Sequence, residues 1–248
     1  MSKPIAEWTR PDYGVDAPGV MRNMFIIGTL ALLFAFITPK TLHVGPIDLQ
    51  LDGAFGWIAA VMLIQGFLFL LYVKYGKFRH RDFMLSLHTW RGDEQVLDVG
   101  CGRGLLLAGA AKRLSSGHAT GIDIWSNEDM GGNSEAATLR NLELEHIADR
   151  CTLIGEGAQQ MSFPDASFDV IVSNLCLHNI YDLPTRRKAL HEIVRVLKPG
   201  GIAFISDYKL TGQYAAEFLD VGFNVQRRWG SVVTTFPPLR IVMARKPA

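Results

Sequence analysis

Asp98-Val99-Gly100-Cys101-Gly102-Arg103-Gly104 is the stretch on which the reading of this chain turns. An apolar run, Gln95 to Val99, precedes the glycines, and a helical stretch, Gly104 to Leu114, follows them. That pattern describes a buried strand, a tight turn and a helix. Glycines remove side chains where backbone must approach a ligand closely. In open α/β sheets the ligand lies beyond the carboxyl ends of the strands, where the strand order reverses. Dinucleotide sites use G-x-G-x-x-G, whereas the spacing here is G-x-G-x-G with Asp98 before it. A fixed carboxylate suits a cationic ligand better than a pyrophosphate, which is held by helix N–H groups.

Outward from the turn, short apolar runs alternate with helical ones. Ala119–Ile124, Cys151–Ile154, Phe168–Ser173 and Ile202–Ser206 read as strands, and Ser134–Ile147 and Thr185–Leu197 as helices. The second helix carries Ala189, Leu190, Ile193, Val194 and Leu197 at helical spacing, and Lys198-Pro199-Gly200-Gly201 stops it. A helix near Gly212–Asp220 and strands near Phe223–Arg227 and Leu239–Ala244 close the chain. The alternation predicts an α/β fold with a doubly wound, seven-stranded, mostly parallel sheet.

The first 80 residues differ in kind. Met24–Ile37 is uncharged, and so is Gly53–Val73, whose one strongly polar residue is Gln65. A helix crosses the bilayer core with about 20 apolar residues. The second stretch meets that length, and the first is shorter and would insert with a hairpin partner. The expected organisation is a membrane anchor over residues 1–80, with two transmembrane helices at about 20–39 and 53–73, then a catalytic domain over residues 81–248. Two buried helices in a soluble cap are the alternative. Neither stretch precedes a small-residue cleavage site, so a removed signal peptide is not expected. Lys3, Arg10 and Arg22 lie before the first stretch, and Lys74, Lys77, Arg79 and Arg81 after the second. Positive flanks favour the cytoplasm, which places both termini and the catalytic domain there.

A formal net charge of +1 over 248 residues gives no basic field, so nucleic acid is not an expected partner. Cys101, Cys151 and Cys176 show no CxxC spacing, which argues against a disulfide framework and a structural zinc site. No metal is expected, and nothing in the sequence sets an oligomeric state.

Val96-Leu97-Asp98-Val99-Gly100-Cys101-Gly102-Arg103-Gly104 resembles the first motif of the class I S-adenosylmethionine (SAM)-dependent methyltransferases. The resemblance continues in order through Gly121–Ile124, Phe163–Val170, Ser173-Asn174 and Arg195–Gly201. It is similar in particular to the ubiquinone/menaquinone type of small-molecule methyltransferase. These motifs are specific for the cofactor, SAM, and say little about the acceptor. By the resemblance, Gly100, Cys101, Gly102 and Gly104 would line the methionine portion, and Asp98 would help hold its amino group. Asp123 would accept the ribose hydroxyls, a turn or helix-cap role being the alternative. Ile124, Gly157 and Ala158 would border the adenine, and Asn174 would fix the cofactor or its own turn. Relatives commonly carry Gly-Asp-Ala after the third strand, where this chain has Glu156-Gly157-Ala158. Adenine recognition then shifts to backbone groups, Gln159 or Glu156.

Methyl transfer from a sulfonium mainly needs donor and acceptor held in line. A base is required only if the acceptor must lose a proton. Candidates are His178 after the fourth strand, and Asp207 and Tyr208 at the end of the fifth, with purely structural roles as the alternative for each. Cys176 has no convergent thiols, which disfavours metalloid methylation. The expected function is a membrane-anchored methyltransferase acting on a small, lipophilic acceptor such as a quinone precursor, a phospholipid amine or an isoprenoid. A soluble acceptor and a non-catalytic SAM-binding membrane module remain open, while an NAD-dependent dehydrogenase is disfavoured by the glycine spacing.

Overall fold

The computed structural model describes residues 4–38, 40–44, 46–126, 132–231 and 234–248, so Lys3 and Pro39 lie outside the described residues. Two apolar helices pack side by side near the start of the chain. Helix α1 (Pro18–Ile37) begins on a proline, whose fixed φ and missing N–H suit a first turn. A two-stranded hairpin, β1 (Thr41–Val44) and β2 (Ile47–Gln50), occupies what the sequence presents as a connecting loop. Helix α2 (Leu51–Leu71) then returns. Small residues let the helices approach: Gly28 faces Leu63, and Gly66 faces the Phe25 ring. Ile27, Leu30, Leu33, Phe36, Ile64 and Phe67 stay exposed on the outside of the pair.

Helix α2 does not stop where its apolar run ends. A π-helical turn, Tyr72–Gly76, carries it into α3 (Lys77–Ser86), giving one continuous helix, Leu51–Ser86. Residue 80 therefore falls inside a helix. Tyr72 and Val73 are buried with Phe69 and Leu239, and Val15, Ala17, Met21, Leu175 and Phe236 pack around them. This cluster fixes both ends of the helical hairpin to the rest of the chain.

The larger sheet is built from β3 (Gln95–Val99), β4 (His118–Asp123), β5 (Cys151–Gly155), β6 (Phe168–Asn174), β7 (Leu197–Asp207), β8 (Asn224–Trp229) and β9 (Arg240–Arg245). Its order is β5-β4-β3-β6-β7-β9-β8. Five strands are parallel, and β9 runs antiparallel to both β7 and β8. The order reverses between β3 and β6, which opens the ligand crevice there. Strand β7 begins at Leu197 rather than Ile202. Lys198–Gly201 form an irregular start to this strand, where the Lys246 N–H donates to the Gly201 carbonyl (3.0 Å) and Lys246 Nζ to the Leu197 carbonyl (2.8 Å).

Helices α4 (Leu105–Ala111), α5 (Glu135–Leu144), α6 (Leu183–Val196) and α7 (Thr211–Asp220) cover the sheet. Ser134 and Asp182 cap α5 and α6 by accepting from the Ala137 and Thr185 N–H groups. One core contains Leu190, Ile193, Tyr214 and Phe218, and the other Met84, Leu85, Leu107 and Leu142. Met84 and Leu85 come from α3, so the extension of the second apolar helix is part of the domain core.

A Cβ at Gly76 would overlap the Thr234 carbonyl oxygen, whereas one at Gly56 meets nothing within 4 Å. Helix propensity favours alanine over glycine by about 1 kcal/mol, but backbone overlap costs about 1–3 kcal/mol. Gly76→Ala should lower the melting temperature of the detergent-solubilised chain, and Gly56→Ala should leave it unchanged or raised.

Candidate functional site

The turn between β3 and α4 needs its glycines. Gly100, Gly102 and Gly104 have φ of 73°, 53° and 80°, a region other residues rarely adopt. A Cβ on Gly100 would also collide with Cys176 Sγ. Strand β4 holds the turn: the N–H groups of Gly100 and Cys101 both donate to the Ile122 carbonyl (2.9 and 3.0 Å). The Gly102 carbonyl accepts from the Thr138 hydroxyl (2.6 Å) and from the Trp125 indole (3.3 Å).

Asp98, at the end of β3, is buried, and its Oδ2 has no partner. Burial pushes its carboxyl up to about 8, against a bond from the Leu107 N–H and with help from the Asp123 charge. Asn174, ending β6, likewise has a buried Oδ1 without a partner. Both residues line one cavity with Gly100, Cys101 and Gly102. Further walls, Asp16, Tyr72, Lys77 and His80 among them, come from the segment before α1 and from the long second helix. No motif marks these four. Tyr72, Lys77 and His80 reach the glycine turn because the helix continues beyond its apolar part, and Asp16 because the segment before α1 is bonded to Arg103, Asn141 and Glu145.

Asp123 accepts from the Gly102 N–H (2.7 Å) and, two residues on, from the Trp125 N–H (2.6 Å). The turn role is therefore present, and the carboxylate keeps spare lone pairs for a diol. Ile124 is 71% exposed and offers an apolar surface beside it. After β5, the Gln159 side chain lies where a Gly157 side chain would point, and Ala158 is buried. Glu156 is engaged locally, its Oε2 accepting from the Ser162 N–H (3.1 Å).

The structure brings His178, Asp207 and Tyr208 together. His178 Nδ1 lies 2.9 Å from Asp207 Oδ1, and Asp207 is fully buried. The Tyr208 N–H donates to Asp207 (2.8 Å), and the Tyr208 ring meets the His178 ring edge-on at 4.8 Å. Tyr214 on α7 donates its hydroxyl to Asp207 Oδ2 (3.2 Å), a member of the group that sequence reading misses. Its only sequence signal is helical spacing, which marks it as core. Burial pushes the Cys101 and Cys176 thiols well up and that of Cys151 to about 12, so none is poised as a thiolate. Among the described residues, no cluster could hold a metal ion.

A seven-stranded sheet in this order, with a glycine cradle at the switch point, is a doubly wound α/β fold with its ligand crevice between β3 and β6. A sequence family described as a methyltransferase domain matches residues 97–205. The chain is 36% identical to a demethylmenaquinone methyltransferase of Symbiobacterium thermophilum, over 49% of this chain and 45% of that protein. It is 34% identical to a sterol 4-C-methyltransferase of Caenorhabditis elegans, over 48% of this chain and 32% of that protein. Among solved structures it resembles the N-methyltransferase NodS from Bradyrhizobium japonicum in complex with S-adenosyl-L-homocysteine, with a TM-score of 0.55 and 18% identity over 68% of this chain and 86% of that one. The chain spans about half or less of the length of the curated relatives it matches. Over residues 97–205 the chain is therefore similar to methyltransferase domains. The site's chemistry fits SAM, since unpartnered acceptor oxygens line a buried cavity at the glycine turn.

An unfolded aspartate titrates near 4. Between about 4 and about 8, the folded chain therefore keeps a proton on Asp98 that the unfolded chain has released. Stability conferred by that proton is lost as pH rises through this window. Asp98→Asn removes the slope, so without ligand its melting temperature should gain on that of the wild type from pH 5 to pH 9. A constant difference across that range would refute the assignment.

Proposed function

We propose that the chain is a membrane-anchored methyltransferase that moves the SAM methyl group to a small, lipophilic acceptor, with residues 1–80 as anchor and 81–248 as catalytic domain. The observation that carries this reading is the continuity of one apolar helix with a wall of the cofactor cavity. Both apolar helices are long enough to cross a bilayer, and their outer faces are unburied hydrophobic surface. Their domain-side ends meet at one cluster, so the chain crosses and returns. Arg22, Lys74 and Arg79 lie near that end, which favours the cytoplasm for both termini and the domain. Trp229 is exposed beneath the Arg240 guanidinium (3.8 Å), at the edge of the sheet where Asp207 also ends, a position suited to a membrane interface. The quinone and sterol substrates in the names of the relatives support a lipophilic acceptor: a quinone precursor, a phospholipid amine or an isoprenoid.

Bound SAM supplies a methyl group on a good leaving group, and the residues supply placement. Asp98, Gly100, Cys101, Gly102, Gly104 and Asn174 hold the methionine portion. Asp123 takes the ribose, and Ile124, Gly157 and Ala158 border the adenine, with Gln159 filling the space over Gly157. His178 is the candidate base. Asp207 accepts from Nδ1–H and leaves Nε2 free to take a proton from the acceptor. Tyr208 and Tyr214 keep this pair in place.

Full-length protein incubated with radiolabelled SAM and a membrane lipid extract should yield label in an organic-phase product. Absence of such a product would sink the lipophilic-acceptor reading. His178→Asn should lower turnover about 100-fold or more while leaving the calorimetric SAM affinity unchanged.

A further inference from the structure

We propose that this chain completes its cofactor site from outside the methyltransferase domain, Asp16 taking the α-ammonium of SAM together with Asp98 and Asn174. The inference rests on the SAM reading above and adds a contact from the segment that leads into α1.

Among the described residues lining the cavity, buried side-chain atoms without a hydrogen-bond partner include Asp16 Oδ2, His80 Nδ1, Asp98 Oδ2 and Asn174 Oδ1. Three of them are carboxylate or amide oxygens, which call for donors. Buried acceptors are ordinarily satisfied, so a group left unpaired in a cavity points to a ligand. A sulfonium donates no hydrogen bond, and the ribose hydroxyls belong beside Asp123. The α-ammonium carries three donors and no acceptor, matching three oxygens. Lys77 shares the cavity but does not saturate Asp16. Its Nζ donates to the Tyr13 and Gly14 carbonyls (2.9 and 2.5 Å) and lies 3.6 Å from Asp16 Oδ2, an ion pair longer than a hydrogen bond.

Asp16 is also held in position. The segment before it is pinned to the domain by Arg140 to the Trp8 carbonyl (2.8 Å), Asp12 N–H to Asn141 (2.8 Å), Arg103 to Asp12 (3.1 Å) and the Tyr13 hydroxyl to Glu145 (2.7 Å). Arg103 belongs to the glycine turn itself, so the turn that receives the cofactor also grips the strand of chain that covers it. Two residues after Asp16, α1 begins.

The test is calorimetry on the full chain in detergent with three ligands. SAM carries both the amine and the carboxylate, decarboxylated SAM keeps the amine alone, and methylthioadenosine has neither. Asp16→Asn should weaken SAM and decarboxylated SAM by about 10–100-fold, the worth of one charge-assisted hydrogen bond, and leave methylthioadenosine within about twofold. Unchanged SAM affinity would overturn the proposal. So would a parallel loss of methylthioadenosine, which would mean general damage to the site, or a loss confined to SAM, which would point to the carboxylate. If the wild type bound neither SAM nor methylthioadenosine, the cofactor reading itself would fall and this inference with it.

Discussion

Where the second apolar helix passes Leu71, its next residues are buried against protein: Tyr72 and Val73 against Leu239 and Leu175, and Gly76 against the backbone at Thr234. That contact ties the helical hairpin to the sheet domain. Leu175 directly follows Asn174, so the helix docks on the loop leaving β6 at the switch point of the sheet. A helix is stiff over this length, and its far end contributes Met84 and Leu85 to the domain core. The helical hairpin cannot swing freely without disturbing both the cavity wall and the core.

The site divides into two ends of different character. At the methionine end the walls come from four separate parts of the chain, and unpaired oxygens face inward. At the adenine end, Ile124 is exposed and Gln159 lies over Gly157. In the SAM-binding arrangement proposed above, tight electrostatic recognition concentrates on the amino-acid portion of the cofactor. Beyond it, the His178–Asp207–Tyr214 group is set where two parallel strands end side by side, with a buried carboxylate bonded to three neighbours. Such an arrangement fixes the imidazole rather than leaving it to solvent.

Much of this architecture is legible in the sequence, because strand–helix alternation and the glycine spacing are local signals. The seven strands of the large sheet lie close to where their apolar runs place them, and α6 ends just before Pro199-Gly200-Gly201. What sequence reading misses is non-local. The β1–β2 hairpin sits in a short loop with weak alternation. Strand β7 reaches back to Leu197 because Leu197 pairs with Phe168 of β6 and Lys246 bonds to the residues between. Continuation of α2 through Lys74 and Lys77 is hidden because charges after an apolar run look like the end of a span. The same continuation makes Tyr72, Lys77 and His80 neighbours of the glycine turn, and the docked segment before α1 adds Asp16, relations that only tertiary packing creates.

Continuity of that helix also acts as a depth gauge. From Tyr72 to His80 the helix rises about 12 Å at 1.5 Å per residue, and both residues line the same cavity. In the membrane-anchored arrangement proposed above, the cofactor is held at roughly the depth of lipid headgroups rather than out in bulk water. An amphiphile lying in the leaflet would present its polar end to the cofactor without leaving the bilayer. Selection among acceptors would then be partly a matter of height: which atom of the molecule stands at that level when its apolar part stays dissolved.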